Sequence, residues 1–271
     1  MNIKKKFSIR LFLFFLKLAS LADKISGRFF IKSYDLVFCY HNITNDSWEY
    51  SVGVNQFAKQ INYLKKNFEI VSLSELVANK KKGKRARAVI TFDDGFLGVL
   101  NNAFPILEKN GLRAAVFVTG EKNLKISKES GCRLMNKKEI ERLASFGWEI
   151  GYHTRSHKNL ASLPFGKLKN EITPPTQFEY LAYPYGQYNK EVLAQAKKAG
   201  YRAAFTTDGG AATSLKNIYA IPRITISNFL NLEEFRSLLT PTGVFANYLF
   251  VSLWKVKDKL GENLLWKKET R

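Results

Sequence analysis

At 271 residues and 45% hydrophobic content, the chain can bury one sizeable core, and its length suits a single α/β barrel. A formal charge of +20, with a pI near 9.8, attracts polyanions, either nucleic acid or anionic lipid. Two cysteines, Cys39 and Cys132, lie far apart and imply no disulfide framework.

Residues 1–22 start with Lys4-Lys5-Lys6 and run on through Leu11-Phe12-Leu13-Phe14-Phe15-Leu16. A basic start before an apolar stretch fits a signal peptide, with Ala19 and Ala22 as small residues for cleavage. Arg10 and Lys17 interrupt the run, which falls short of the ~20 apolar residues of a spanning helix. An interfacial amphipathic anchor fits at least as well.

Asp35-Leu36-Val37-Phe38-Cys39-Tyr40 is a strand closed by His41, and Cys39 reads there as a small core residue. A helix follows from about residue 55, with Phe57, Ile61 and Leu64 on one face. Glu69-Ile70-Val71 is a short strand, and Ser72 to Glu75 has capping-box spacing. The run Lys80-Lys81-Lys82-Gly83-Lys84-Arg85 reads as a solvated loop. Ala88 to Phe92 is a β-branched strand that breaks at Asp93-Asp94-Gly95. A helix over 97–109 contains Pro105, which bends it or marks its start.

Downstream, Ala114 to Val118 is a strand, and Asn136 and Glu139 open a helix that stops at Gly147. Trp148-Glu149-Ile150-Gly151 is a strand leading into His153-Thr154-Arg155-Ser156-His157, and Glu179 to Ala182 leads into Tyr183-Pro184-Tyr185-Gly186. Asn189 caps a helix ending at Gly200. Arg202 to Phe205 and Ala220 to Ile226 are further strands, and Asn231 starts a last core helix. Strands alternating with helices imply a parallel sheet, here a distorted (β/α)7–8 barrel in one domain with amphipathic ends. Each chemical motif follows a strand's C-terminal end, where such a barrel places its active site.

In this order, the Thr91-Phe92-Asp93-Asp94-Gly95, His153 to His157 and Tyr183 to Gly186 blocks resemble the polysaccharide deacetylase family, carbohydrate esterase family 4 or NodB-homology domain. The likeness covers residues 35–239, and the pattern is similar to that of poly-N-acetylglucosamine deacetylases.

Adjacent strand residues point to opposite faces, so two acids share a site only where the strand stops. Two imidazoles and a carboxylate make an open metal site, and His153 and His157, four apart, would face one way on a helical turn. The resemblance supplies Asp94 as third ligand. Zinc is the preferred divalent metal, although the same set suits non-haem iron. The resemblance also makes Asp93 the general base and the Tyr185 backbone N–H an oxyanion donor.

Two departures from the family bear on catalysis. The Leu-x-His block that holds its general acid is missing, because no histidine follows His157. The arrangement resembles poly-N-acetylglucosamine deacetylases, in which an N-terminal histidine takes that place, so the resemblance gives the role to His41, after the first strand; a lone histidine capping a strand is the other reading. The family's Arg-x-Pro-Tyr is Ala182-Tyr183-Pro184-Tyr185 here, so Arg223 either substitutes as the base's partner or is an ordinary ion-pair residue. The connection 169–178 also reads as shorter than the family's helix-bearing one, and a trimmed helix there would open the groove or leave a sheet edge exposed.

These residues imply a metal-dependent N-deacetylase acting on acetamido groups of N-acetylhexosamine in a glycan or lipid-linked sugar. The alternatives are a carbohydrate O-acetyl esterase and an inactive glycan-binding protein at a membrane. No nucleic-acid motif is present, and the sequence carries no signal for oligomeric state. Residues 241–271 mix Trp254, Trp266 and leucines with lysines, as a helix in a headgroup layer requires; packing on the barrel is the other reading. The expected organisation is an anchor or signal-like segment (1–30), a catalytic domain (31–240) and a basic C-terminal helix (241–271), held peripherally at an anionic membrane surface.

Overall fold

The computed structural model describes residues 3–25, 34–79, 85–120, 126–127, 129–174, 176, 178–212 and 217–269. The chain forms two compact units. One is Lys32–Thr207 with Ala211–Leu232; the other is Met1–Ile31 with Asp208–Gly210 and Glu233–Arg271.

Helix α1 (Ile3–Ile25) precedes strands β1 (Leu36–Tyr40), β2 (Asn42–Ile43) and β3 (Ser51–Val52). Helix α2 (Val54–Asn67), strand β4 (Glu69–Ile70), helix α3 (Leu73–Val77) and strand β5 (Arg87–Phe92) come next. Then follow α4 (Phe104–Lys109), β6 (Ala115–Val118), α5 (Lys137–Ser145), β7 (Glu149–Tyr152) and α6 (Phe165–Ile172). The chain continues with β8 (Tyr180–Ala182), α7 (Lys190–Lys198), β9 (Ala203–Phe205), β10 (Ile224–Thr225), α8 (Leu232–Leu238) and α9 (Pro241–Glu269). Caps fall where the sequence puts them: reciprocal capping boxes at Ser72/Glu75 and Asn136/Glu139, and Asn189 accepting from the Val192 N–H. Pro105 sits in the first turn of α4, just after a π-type turn at Val99–Ala103.

The larger unit is built on a curled parallel sheet in the order β10-β1-β5-β6-β7-β8-β9, with β4 also on β5. The predicted strand 220–226 survives only as a bridge from Ile221 to Phe205 and the pair Ile224–Thr225 on β1. Pro222, lacking an N–H, interrupts it. This one segment still touches both ends of the sheet, so the expected barrel closes, irregularly. Alternation sends Val37, Val89, Ala115, Phe117, Ala182 and Phe205 into one buried cluster with Leu73 and Leu76 of α3.

A second cluster joins Tyr152, Leu181 and Ala204 of the strands to Leu168 and Ile172 of α6 and Val192 and Ala196 of α7. The expectation of a shortened connection with a trimmed helix is therefore corrected. The helix is present but starts earlier, at Phe165, and its apolar face covers β7 and β8.

In the smaller unit α9 packs along α1, with Phe12 and Phe250 stacked at 4.4 Å between centroids. Asp23 accepts from the Thr242 N–H and hydroxyl at the start of α9, and Lys17 pairs with Glu234 of α8 at 3.7 Å. Both helices also present apolar side chains outward: Leu11, Phe14, Phe15, Leu18, Leu21 and Ile25 on α1, then Phe245, Tyr248, Leu249, Leu253 and Val256 on α9. Steps of three and four make each set a continuous stripe. No helix among the described residues is long and apolar enough to cross a membrane.

Candidate active site

Strand β5 ends at Phe92, and the Asp93 N–H still bonds the Tyr40 carbonyl of β1. Asp94 then takes φ 68 and Gly95 φ 77, so the backbone turns left-handed as soon as the ladder stops. Aspartate tolerates this conformation better than most residues. The turn swings Asp94 to the side that Asp93 already faces, as two acids sharing a site require.

The histidine pair reaches the site by a different route from the helical turn expected. Residues 153–157 form an irregular loop in which Thr154 (φ 64) and His157 (φ 54) are left-handed. Glu171 of α6 holds this loop. Its carbonyl accepts from the Arg155 N–H at 3.0 Å, and its carboxylate accepts from the Ser156 N–H at 2.8 Å and hydroxyl at 2.5 Å. Of the five non-glycine residues with positive φ among the described residues, four (Asp94, Thr154, His157 and Tyr185) lie here, which marks a site where packing overrides local preference.

Asp94, His153 and His157 offer ligand atoms that all lie within 4.8 Å of one another. His153 Nε2 is 3.5 Å and His157 Nε2 3.3 Å from Asp94 Oδ1. The far nitrogen of each ring is occupied: His153 Nδ1 is 2.9 Å from the Ala182 carbonyl, and His157 Nδ1 is 3.2 Å from Glu129 Oε1. Both Nδ1 atoms are thus set as donors, which frees both Nε2 lone pairs toward Asp94. Burial pushes the Asp94 carboxyl up to about 7 against the pull of His157. Burial alone would lower the His157 pKa, but the Glu129 hydrogen bond and then Asp94 outweigh it and raise it. Two imidazoles and one carboxylate fit a divalent metal.

Asp93 differs from its neighbour because Arg223 reaches it. The fully buried guanidinium donates to Asp93 Oδ1 at 2.7 Å and Oδ2 at 2.6 Å, and also to the Thr91 hydroxyl and Thr206 carbonyl. Burial alone would raise the Asp93 carboxyl; Arg223 and then His153 outweigh it and hold the group well below the usual range. Cys39, read as core, is buried but also contacts the site. Burial keeps its thiol protonated, and Sγ donates to Asp93 Oδ2 at 3.3 Å.

His41 stands beside these residues, since β1 and β5 are paired neighbours. A ring nitrogen of His41, Cys39 Sγ and an Asp93 oxygen lie within 4.8 Å of one another. A second cation in this cluster would meet the guanidinium already on Asp93, which disfavours it as a metal site. The His41 ring packs on Tyr50 and Trp48, its Nδ1 is buried without a hydrogen bond among the described residues, and burial lowers its pKa to about 4. The ordinary value near 6.5 does not hold at this position.

Tyr185 (φ 58) is half exposed, its ring 4.8 Å from that of His157, and its hydroxyl donates to Glu129 at 2.6 Å. Glu129 went unnoticed in the sequence because it belongs to no motif. Its bonds from His157 and Tyr185 bring its carboxyl down to about 2.

A family model described as polysaccharide deacetylase matches residues 80–204. The poly-β-1,6-N-acetyl-D-glucosamine N-deacetylase of Staphylococcus aureus (strain MRSA252) is 33% identical over 204 residues, covering 66% of this chain and 69% of its own. The chain belongs to the polysaccharide deacetylase family. Solved structures agree with the deacetylase fold. The Streptococcus pyogenes deacetylase PplD in complex with acetate superposes with a TM-score of 0.66 at 20% identity, over 77% of this chain and 99% of that one. IcaB from Ammonifex degensii gives 0.66 at 21%, over 78% and 97%. The family is one of hydrolases, and the present deacetylase carries a candidate metal-ligand set at its barrel mouth.

Proposed function

We propose that this chain hydrolyses acetamido groups of N-acetylhexosamine units in a glycan or lipid-linked sugar, with zinc held by Asp94, His153 and His157. The observation that carries the reading is the sorting of two adjacent acids: Asp93 takes the buried guanidinium, and Asp94 is left facing two imidazoles. When bound, the metal supplies a Lewis acid that polarises the acetyl carbonyl and acidifies water.

The chain's own residues handle the proton. Asp93, fixed by Arg223, accepts it from the attacking water. Oxygen bonds to the acetyl carbon, and the backbone N–H of Tyr185 donates to the developing oxyanion. His41 delivers a proton to the nitrogen as the C–N bond breaks, so acetate and a free amine leave. Because burial keeps the resting His41 neutral, it must first gain that proton, and its nearness to Asp93 gives the route.

Residues 31–240 form the catalytic domain in this reading, and the outer ends attach it peripherally to an anionic membrane surface. Two outward apolar stripes support the attachment, as does the excess of lysine and arginine in α1 over its single acid, Asp23.

The test is acetate release from a panel of N-acetylated oligosaccharides and lipid-linked sugars, with and without chelator. Chelator-sensitive release from acetamides is expected. Release from O-acetyl sugars alone would make the protein an esterase, and no release with metal bound would make it a binding protein.

A further inference from the structure

Glu129 is delivered by a small loop between β6 and α5 whose shape is written locally. The Ser127 hydroxyl accepts from the N–H groups of Glu129 and Ser130 at 3.3 and 3.4 Å, and the Gly131 N–H returns to the Ser127 carbonyl at 2.9 Å. Gly131 has φ 70, and Ile126 bridges Arg133 across the loop. The turn therefore holds its own form and projects one carboxylate toward the histidine loop. There a single oxygen, Oε1, lies 3.2 Å from His157 Nδ1 and 2.6 Å from the Tyr185 hydroxyl.

We infer that Glu129 is a positioning residue for metal binding: by accepting the Nδ1 proton of His157 it fixes that ring's tautomer and angle, and through the same oxygen it ties Tyr185 to the ring. The inference rests on His157 being a metal ligand. An imidazole offers one lone pair only when the other nitrogen carries the proton, so an acceptor at Nδ1 decides which nitrogen faces Asp94. His153 has the Ala182 carbonyl for this purpose. His157 sits on an irregular loop, and among the described residues its Nδ1 meets a side chain instead. Such outer partners are commonly worth about 10–100-fold in metal affinity. Tyr185 adds orientation: its hydroxyl is donated to Glu129, so the carboxylate cannot rotate off His157 without losing that bond.

Zinc affinity is measured on the full-length apo-protein by competition with a chromogenic chelator, for the parent, E129A and E129Q. E129A is expected to bind zinc about 10–100-fold more weakly at an unchanged thermal midpoint. E129Q keeps an acceptor oxygen and is expected to recover most of the loss. Equal affinity in all three overturns the inference and leaves the ligand set standing. E129Q as weak as E129A also overturns it, because bulk negative charge and not hydrogen-bond acceptance would then be responsible. A parent that binds no zinc removes the ligand assignment, and this inference with it.

Discussion

Arg223 closes a two-pronged hydrogen bond on Asp93, Nη1 to Oδ1 at 2.7 Å and Nη2 to Oδ2 at 2.6 Å, with the guanidinium fully buried and the carboxylate nearly so. Removing one member of a buried pair leaves the other's charge uncompensated, at a cost of about 3–5 kcal/mol. Arg223→Met is expected to lower stability to denaturant by that amount. Asp93→Asn keeps the shape, should leave metal bound, and should lower turnover roughly 10²-fold or more. Metal content and acetate release on the same preparations check both. Near-full turnover in Asp93→Asn would make the residue structural.

This pair also shows how far the sequence could be read. The caps and the strands up to Phe205 rest on local signals, periodicity and turn residues, and the structure agrees with them closely, whereas the strand expected over 220–226 is broken at Pro222. That Arg223 meets Asp93 depends on a bridge segment joining both ends of the sheet, a contact spanning 130 residues. Glu129 and the loop geometry of His153 and His157 were hidden for the same reason. An isolated glutamate carries no periodicity, and a spacing of four is equally compatible with a helix and with a loop held by Glu171.

Acid sensitivity follows from His41. Its folded pKa is near 4 because of burial, against an ordinary 6.5, so between those values the unfolded chain binds more protons. Its contribution is complete above pH 6.5 and is lost as pH falls toward 4, by roughly 1.4 kcal/mol per unit. Asp94, raised to about 7 by burial, acts in the opposite sense over an overlapping range. The readout is therefore a difference: stability of the metal-free parent minus that of His41→Gln should rise with pH between 4 and 6.5. A flat difference would contradict the burial argument.

Gly151 couples packing to the site. A Cβ there would lie 2.4 Å from ring atoms of Phe117, and that ring lies under Arg223, whose Cζ is 5.3 Å from its centroid. Gly151→Ala should therefore cost about 1–3 kcal/mol and lower turnover together. Gly166→Ala is the control. It sits in α6 with nothing within 4 Å of its new methyl, and should stabilise by up to about 1 kcal/mol with activity unchanged.

Membrane attachment can be tested on the outward stripes without disturbing the inward packing of α1 on α9. Phe14 and Leu18 on α1, and Leu249 and Leu253 on α9, are exposed and lie one turn apart. Exchanging all four for glutamate removes apolar area and adds charge that anionic lipid repels; each basic residue near such a surface contributes about 1 kcal/mol. The parent should float with phosphatidylserine vesicles and the variant should not. Flotation unchanged in the variant would contradict attachment through these helices.

The sharpest prediction separates proton delivery from mere shape at His41. An amine is a poor leaving group and departs only once its nitrogen is protonated, whereas an activated phenolate leaves unaided. His41→Ala should accordingly keep the metal and lose most N-deacetylation, yet retain much more of its activity on aryl acetates. The observation behind this prediction is that β1 lies beside β5 and that a His41 nitrogen, Cys39 Sγ and an Asp93 oxygen lie within 4.8 Å of one another. Equal losses on amide and activated ester would reassign His41 to shaping the pocket alongside Trp48 and Tyr50, against which its ring already packs.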